Sequence, residues 1–351
     1  MAGCQLRCGN CYRPPQAGMG KMPEKFVKTT VKEAGRAGFS EIVLIGGEPT
    51  LHPQLPEFMQ LVLDTGLTPI LCTNGLRLSN KTYCERVILP GTTVVIHGLV
   101  PVPPDTMDRH VGLKGYTERL KDTYANLEEL RQEGRNITIV AEAVVIRPFL
   151  RHLLDFHKWC RANNYVPFIE MNRRGNNGQP NALSVSPEEV HNLFLQLQSW
   201  DQENAPSLID TTLTPPAYGN KCTMSITGLH VKNFGSNSDY AGVYSCCAQT
   251  VRHGDLLRES VTEILASDQM SVFKNQDDWI VGPCRNCAYY PVCRGGCRGE
   301  ASLIFGCPRA SCPACWHIPP EIRNDRRAMA PLSCRNCPLE ENPGCSLPKK
   351  R

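Results

Sequence analysis

Long hydrophobic runs are missing from this chain of 351 residues. Its longest apolar stretches, 92–96 and 137–146, fall far short of the roughly 20 residues that cross a bilayer, which excludes a membrane-spanning helix. No basic, apolar, small-residue export signal opens the chain, so a soluble, cytoplasmic protein without a membrane partner is expected. Net charge is scarce as well. The 38 Lys and Arg residues are interleaved with 34 Asp and Glu, leaving +4 without a basic stripe, and nucleic acid is not an expected partner. Low-complexity segments are absent, and a hydrophobic content of 41% is enough for a real core. What the chain has in excess is cysteine, 19 residues in all. An odd count, clustering into CxxC pairs and the lack of an export signal favour metal or cluster ligands over disulfides, because cytosolic thiols stay reduced.

Between residues 22 and 200 helical and strand patterns alternate with short Gly or Pro punctuation. Helices are expected at 23–38, 53–65, 82–87, 116–134, 149–163 and 187–200. Strands are expected at "EIVLIGG", "TPILCTNG", "TTVVIHG", "NITIVAEAVVI" and "YVPFIEMN". Apolar strands alternating with helices imply an α/β fold with a parallel sheet, either open or a partial barrel. Around 201–216 the pattern gives way to a polar, Pro-bearing connection. Beyond it lie 13 of the 19 cysteines with little periodicity, the mark of a second domain held together by what its thiols bind. The expected division is 1–200, a linker at 201–221, and 222–351. One weak repeat appears there, "CRNC" at Cys284–Cys287 and again at Cys334–Cys337.

The first thiols stand in "CQLRCGNCY", with Cys4, Cys8 and Cys11 spaced CxxxCxxC. A structural zinc site wants four closed ligands, whereas three thiolates can hold a four-iron cluster and leave one iron open to an outside molecule. "GGEPTLHP" begins at Gly46 after the first expected strand, and "TNG" at Thr73 after the next. Both fall at strand C-terminal ends, where barrel folds place their chemistry. Gly46 and Gly47 let a ligand approach the backbone, and Glu48 offers a carboxylate to a cation such as an ammonium group.

CxxxCxxC followed by Tyr12, then GGEP, then TNG on successive units resembles the radical S-adenosylmethionine (SAM) superfamily over roughly residues 4–175. The resemblance implies a partial (β/α)6, TIM-like barrel with a [4Fe-4S] cluster on Cys4, Cys8 and Cys11, whose open iron takes the amino and carboxylate groups of SAM. An electron from the cluster then cleaves the sulfonium, and the resulting 5'-deoxyadenosyl radical removes a hydrogen atom from substrate. By the same resemblance Tyr12 lies near the adenine, Gly46, Gly47 and Glu48 receive the methionine amino group, and Thr73 and Asn74 line the cofactor pocket. Two departures stand out. Where the superfamily often has Ser-x-Asp-Gly, this chain has "VIHG", making His97 a candidate for the substrate side. Only "MAG" precedes Cys4, so the first barrel strand is expected to be missing or truncated, leaving a sheet edge exposed and the cluster loop poorly anchored. Arg147 and Glu170 are candidate partners for the cofactor's carboxylate and ribose, with His97 and Arg147 as candidate catalytic residues.

"CRNCAYYPVCRGGC" places Cys284, Cys287, Cys293 and Cys297 in a CxxCxxxxxCxxxC pattern, followed closely by Gly-Glu-Ala and preceded by Cys222 and by "GVYSCC". This resembles the SPASM extension of many radical SAM enzymes and implies two auxiliary [4Fe-4S] clusters. Cys222, Cys247 and Cys297 would serve the inner one, with Cys246 competing for the place of Cys247. Cys284, Cys287 and Cys293 would serve the outer one together with Cys312 or Cys307. A further metal or cluster on Cys315, Cys334, Cys337 and Cys345 is expected, and a zinc ribbon is the alternative for the whole region. Cys72, Cys84 and Cys160 fit buried apolar positions. The implied activity is an oxidative radical modification, of a ribosomal peptide or protein side chain first and of a small molecule such as a sugar or tetrapyrrole second. Its reducing partner would be a flavodoxin or ferredoxin. A non-catalytic electron carrier is the rival of another class.

Overall fold

A computed structural model describes residues 3–11, 22–172, 182–211, 221–232, 241–249, 251–274 and 279–330, so that Tyr12, Cys334, Cys337 and Cys345 lie outside the described residues. Two compact units form. One takes the described residues up to Asn172 together with 196–211; the other takes 182–195, 221–232 and those from Ala241 on.

In the first unit the chain runs α1 (Glu24–Arg36), β1 (Glu41–Leu44), α2 (Leu55–Asp64), β2 (Thr68–Thr73), α3 (Lys81–Val87), β3 (Thr93–His97), α4 (Pro104–Val111), α5 (Tyr116–Gln132), β4 (Thr138–Val145), α6 (Leu153–Ala162), β5 (Val166–Met171) and α7 (Pro187–Asn204). The five strands pair in parallel in the order β1-β2-β3-β4-β5, the crossover arrangement expected of βα units. Leu71, Val94, Ile96, Ala141 and Ile169 alternate onto one buried face of the sheet. Register puts Cys72 beside Val95 on the opposite face, and His97, Glu142 and Phe168 side by side one step further along. All of these are half-buried, so the face mixes polar and apolar groups and is not a second fully buried core. Gly98, next to His97, admits no side chain, since a Cβ there would meet the Phe156 ring at 2.2 Å. Among the described residues β1 pairs only with β2, and Val43 and Ile45 along it are 40% and 37% exposed.

Two elements differ from expectation. Helix α4 lies in "PVPPDTMDRHVG", where no element is expected. Its prolines sit at the cap and first position, where a missing N–H costs nothing, and Gly112 closes it at φ 71°. Helix α7 continues to Asn204, through the start of the expected connection. The cause is Asp201, wholly buried, whose carboxylate accepts from Arg161 Nη2 at 2.6 Å and Nε at 3.1 Å and lies 2.8 Å from His157 Nε2.

The second unit opens with α8 (Met224–Thr227) and holds the antiparallel sheet β6 (His230–Lys232), β7 (Gly242–Tyr244) and β8 (Gly254–Asp255). Short helices follow: α9 (Val261–Ala266), α10 (Asp268–Lys274), α11 (Tyr290–Cys293), α12 (Arg298–Phe305) and α13 (Arg326–Met329). Helices this short are marginal alone. Here α11, α12 and α13 pack on a core that includes Trp279, Ile280, Phe305, Ile318 and Met329, into which Cys284 and Cys307 are also built, while Ile264 of α9 and Met270 of α10 bury against Val243 of β7.

Removing one partner of a buried, hydrogen-bonded ion pair strands the other charge. Asp201→Ala is therefore expected to destabilise the protein by about 3–5 kcal/mol, read as a lower urea midpoint in anaerobic unfolding.

Candidate functional site

The Cys4–Cys11 loop is held by backbone rather than by a strand. Helix α4 has four terminal carbonyls to satisfy. Leu113 and Gly112 take those of Asp108 and Arg109, while the loop's own Gly9 and Arg7 donate to His110 at 3.0 Å and Val111 at 2.9 Å. The His110 ring adds a 2.8 Å contact to Asn10 Oδ1. At the other end the Glu48 N–H donates to the Gly3 carbonyl at 2.7 Å. The expectation of a poorly anchored loop is thus corrected: the end of an unforeseen helix supplies the anchorage.

Glu48 is 1% exposed and accepts four hydrogen bonds, from Thr50 N (3.0 Å), Thr50 Oγ1 (2.7 Å), Thr73 Oγ1 (2.7 Å) and Asn74 N (2.8 Å). Burial pushes its carboxyl up, against the pull of these donors. Its oxygens are turned onto the chain, so the side chain braces the GGEP and TNG segments against each other. Gly46 is exposed and Gly47 half-buried, which leaves their backbone as the part of this motif open to a ligand. Asn74 reaches the first thiol, its Nδ2 3.7 Å from Cys4 Sγ, and the Leu6 N–H lies 3.4 Å from the same sulfur.

The residues present fit a three-thiol cluster. Burial pushes the Cys8 thiol up to about 12, and Cys11 and Cys4 add to the rise, so the three sulfurs share one neighbourhood. Among the described residues no group of three or more His, Cys, Asp or Glu closes on a single metal ion. A cuboidal cluster spreads its irons and asks for thiols near one another without a common point. The Gln5 side-chain amide, between these cysteines, is buried with no hydrogen-bond partner among the described residues.

The TNG segment also meets His97. Tyr116, wholly buried, donates its hydroxyl to the Asn74 carbonyl at 2.7 Å, and His97 Nδ1 lies 3.1 Å from the same hydroxyl. With its one proton given to Asn74, the hydroxyl can only accept from His97, so Nδ1 carries the hydrogen and Nε2 is left with a free lone pair. Burial, reinforced by His110, holds the imidazole at about 4. His97 is thus neutral at pH 7 and positioned from behind, with Tyr124 donating to its carbonyl at 3.0 Å. Beside it on the same face lies Glu142, and the Cys72 thiol is raised by burial and then by Glu142, Glu170 and Glu48. Cys72 is thus half-buried among carboxylates, a correction to its apolar assignment, whereas Cys84 and Cys160 are wholly buried. Glu142 escaped notice in the sequence, although a carboxylate inside the apolar run "TIVAEAVV" is costly unless it faces something polar. Arg147 is exposed just past β4, and Glu170 lies half-buried on β5.

In the second unit Cys297 caps α12, its sulfur 3.4 Å from the Glu300 N–H. Gly299 lets the preceding segment come close, since a Cβ there would lie 2.5 Å from Ala248 and 3.5 Å from Cys246 Sγ. Cys246 and its neighbour Cys247 are thereby brought to the start of α12, and Cys222 is half-buried just before α8. Cys315, expected among the tail thiols, is raised to about 11 by burial, and Cys284 and Cys293 act on it too. Cys312, 0% exposed, instead faces Cys297, while Cys307 packs in the core beside Phe305 and Ala310. A turn joining Cys315 N to the Cys312 carbonyl at 3.2 Å sends the two thiols to different companions. Cys315, expected among the tail thiols, thus stands near Cys284 and Cys293, in the same core as Cys307.

Comparison with known proteins identifies two domains in the chain. The radical SAM superfamily matches residues 1–159, and the SPASM iron-sulfur cluster-binding domain matches residues 234–288. An AdoMet-dependent heme synthase of Methanosarcina barkeri is 23% identical over 342 residues, covering 91% of this chain and 95% of the relative. A PqqA peptide cyclase of Granulibacter bethesdensis is 22% identical over 355 residues, covering 93% and 90%. Among solved structures, anSMEcpe with bound AdoMet superposes with TM-score 0.60 at 17% identity over 86% of this chain and 88% of that one. Streptococcus suis SuiB bound to precursor peptide SuiA gives TM-score 0.65 at 15% identity over 90% and 74%. The chain belongs to the radical SAM superfamily. Within it, the protein is an enzyme of the SPASM type, with a SAM-binding [4Fe-4S] cluster, auxiliary clusters and SAM as its cofactors.

Glu48→Ala leaves Thr73 Oγ1 and Asn74 N without their buried acceptor, at about 1–3 kcal/mol each. The variant is expected to lose most of its SAM binding in anaerobic equilibrium dialysis while keeping the iron of the auxiliary clusters. Because folded His97 resists protonation down to about 4, the unfolded chain binds the extra proton first as pH falls below 6.5. Stability contributed by neutral His97 is full above pH 6.5 and lost toward pH 4, by at most about 1.4 kcal/mol per pH unit. His97→Asn should flatten that share of the slope in urea midpoints measured from pH 7 to 4.

Proposed function

We propose that the protein oxidatively modifies a peptide or protein side chain, with His97 as the base that accepts the substrate's proton. The observation that carries this is the neutral His97 imidazole, its Nδ1 held by Tyr116 and its Nε2 lone pair uncommitted among the described residues, on a face it shares with Glu142 and Glu170. SAM and its cluster supply the hydrogen-abstracting radical. The protein's part is to orient the substrate, and to take up the proton that an oxidised substrate releases when its electron departs. A face bearing two carboxylates suits a neutral or cationic side chain and repels a polycarboxylate such as a tetrapyrrole. A relative named as a peptide cyclase and a structural neighbour bound to its precursor peptide support the peptide. The heme synthase relative supports the second reading, a small-molecule substrate.

In this proposal residues 1–200 are the radical SAM domain, 201–221 the linker and 222–351 the auxiliary-cluster domain. Cys4, Cys8 and Cys11 hold the first cluster. Cys222, Cys247 and Cys297, with Cys246 adjacent, hold the inner auxiliary cluster, and Cys284, Cys287, Cys293 and Cys315 the outer one. A flavodoxin or ferredoxin supplies the first electron.

Anaerobic incubation with dithionite and SAM should yield 5'-deoxyadenosine, and Cys8→Ala should abolish it. Full activity in Cys8→Ala would refute the first-cluster assignment, and a protein that never cleaves SAM would be an electron carrier. His97→Asn is expected to keep 5'-deoxyadenosine formation but lower oxidised product about 100-fold or more, the typical contribution of a positioned base. Faster SAM cleavage with coproporphyrin than with any peptide encoded beside the gene would favour the small-molecule reading.

A further inference from the structure

Arg298, the first residue of α12, is 0% exposed. Its guanidinium donates to the carbonyls of Ala310 (2.6 Å), Pro308 (2.8 Å), Gly296 (3.3 Å) and Gly295. All four acceptors are uncharged, and among the described residues no carboxylate pairs with it. Arginine cannot shed its proton, so a full positive charge has been withdrawn from water with only dipoles around it. Such a charge is costly unless an anion stands nearby.

The neighbours show where that anion belongs. Arg298 follows Cys297, whose sulfur lies at the positive end of α12, and its charge is felt at the buried Cys312 thiol. Glu300, buried in the same turn, acts on Cys312 in the opposite sense and more weakly. A cluster held by thiolates is anionic and gains one more negative charge on reduction, and net charge and burial set its potential.

We propose that Arg298 is the counter-charge of the auxiliary cluster ligated by Cys297 and raises that cluster's reduction potential. The inference rests on the ligand assignment given above. A fixed cation favours the more negative, reduced state, so this cluster accepts an electron more readily than one among neutral groups. That is the bias an acceptor of electrons from an oxidised substrate requires.

The test is an anaerobic potentiometric titration, followed by electron paramagnetic resonance, of the reconstituted full chain carrying Cys4→Ala, Cys8→Ala and Cys11→Ala, so that only auxiliary clusters report. Arg298→Gln should lower the reduced-to-oxidised ratio at a given applied potential at least tenfold, a midpoint shift of about −59 mV. Arg298→Lys, which keeps the charge but loses the guanidinium fork, should stay within threefold of the parent. A parental midpoint in Arg298→Gln overturns the proposal, as does a fall in Arg298→Lys equal to that in Arg298→Gln, which would make the residue a clamp only. If Arg298→Gln takes up no cluster, Arg298→Lys decides alone: a parental midpoint supports the charge and a lowered one overturns it. Cys297→Ala that leaves both auxiliary signals intact overturns the ligand assignment instead, a failure distinguishable from that of the charge effect.

Discussion

One carboxylate organises the cofactor end of this protein. Glu48 accepts from Thr50, Thr73 and Asn74, and its N–H holds the Gly3 carbonyl, so three segments far apart in sequence converge on one buried residue. Through Asn74 the same centre reaches Cys4 on one side and Tyr116, then His97, on the other. Cluster loop, cofactor motifs and candidate base are thus set relative to one another by hydrogen bonds whose members are buried, where a missing partner is expensive.

The two halves of the molecule spend their cysteines differently. In the first unit three thiols sit on a loop and the fold stands on apolar strands and helices. In the second unit the helices that lie wholly within it are four to eight residues long, and the thiols of Cys284, Cys293 and Cys315 approach one another around a single small core. Cross-linking by clusters there takes over part of the work that a larger hydrophobic core does elsewhere.

Much of the first unit could be read directly from the chain. Strands such as "TPILCTNG" and helices such as 116–134 carry clean periods, and GGEP and TNG each fall at a strand's end. Helix α4 was hidden because prolines at a helix start look like punctuation. Asp201 was hidden because its role depends on Arg161 and His157, forty or more residues away. The role of Glu48 was legible in position and not in direction: a motif says which carboxylate matters, while only the fold shows that it faces the chain. Among the late cysteines spacing offered Cys312 or Cys307 for the outer cluster and set Cys315 with the tail, and only the turn between Cys312 and Cys315 shows Cys315 near Cys284 and Cys293.

Because the Cys4–Cys11 loop leans on the last carbonyls of α4, the iron's location is inherited from the connection between β3 and α5. Lengthening or shortening that connection would carry the loop along with it, moving its thiols relative to the sheet face that bears His97. Residues 98–115 thus carry a second duty as footing for the thiols, whereas the side chains of the strands can change without disturbing that footing.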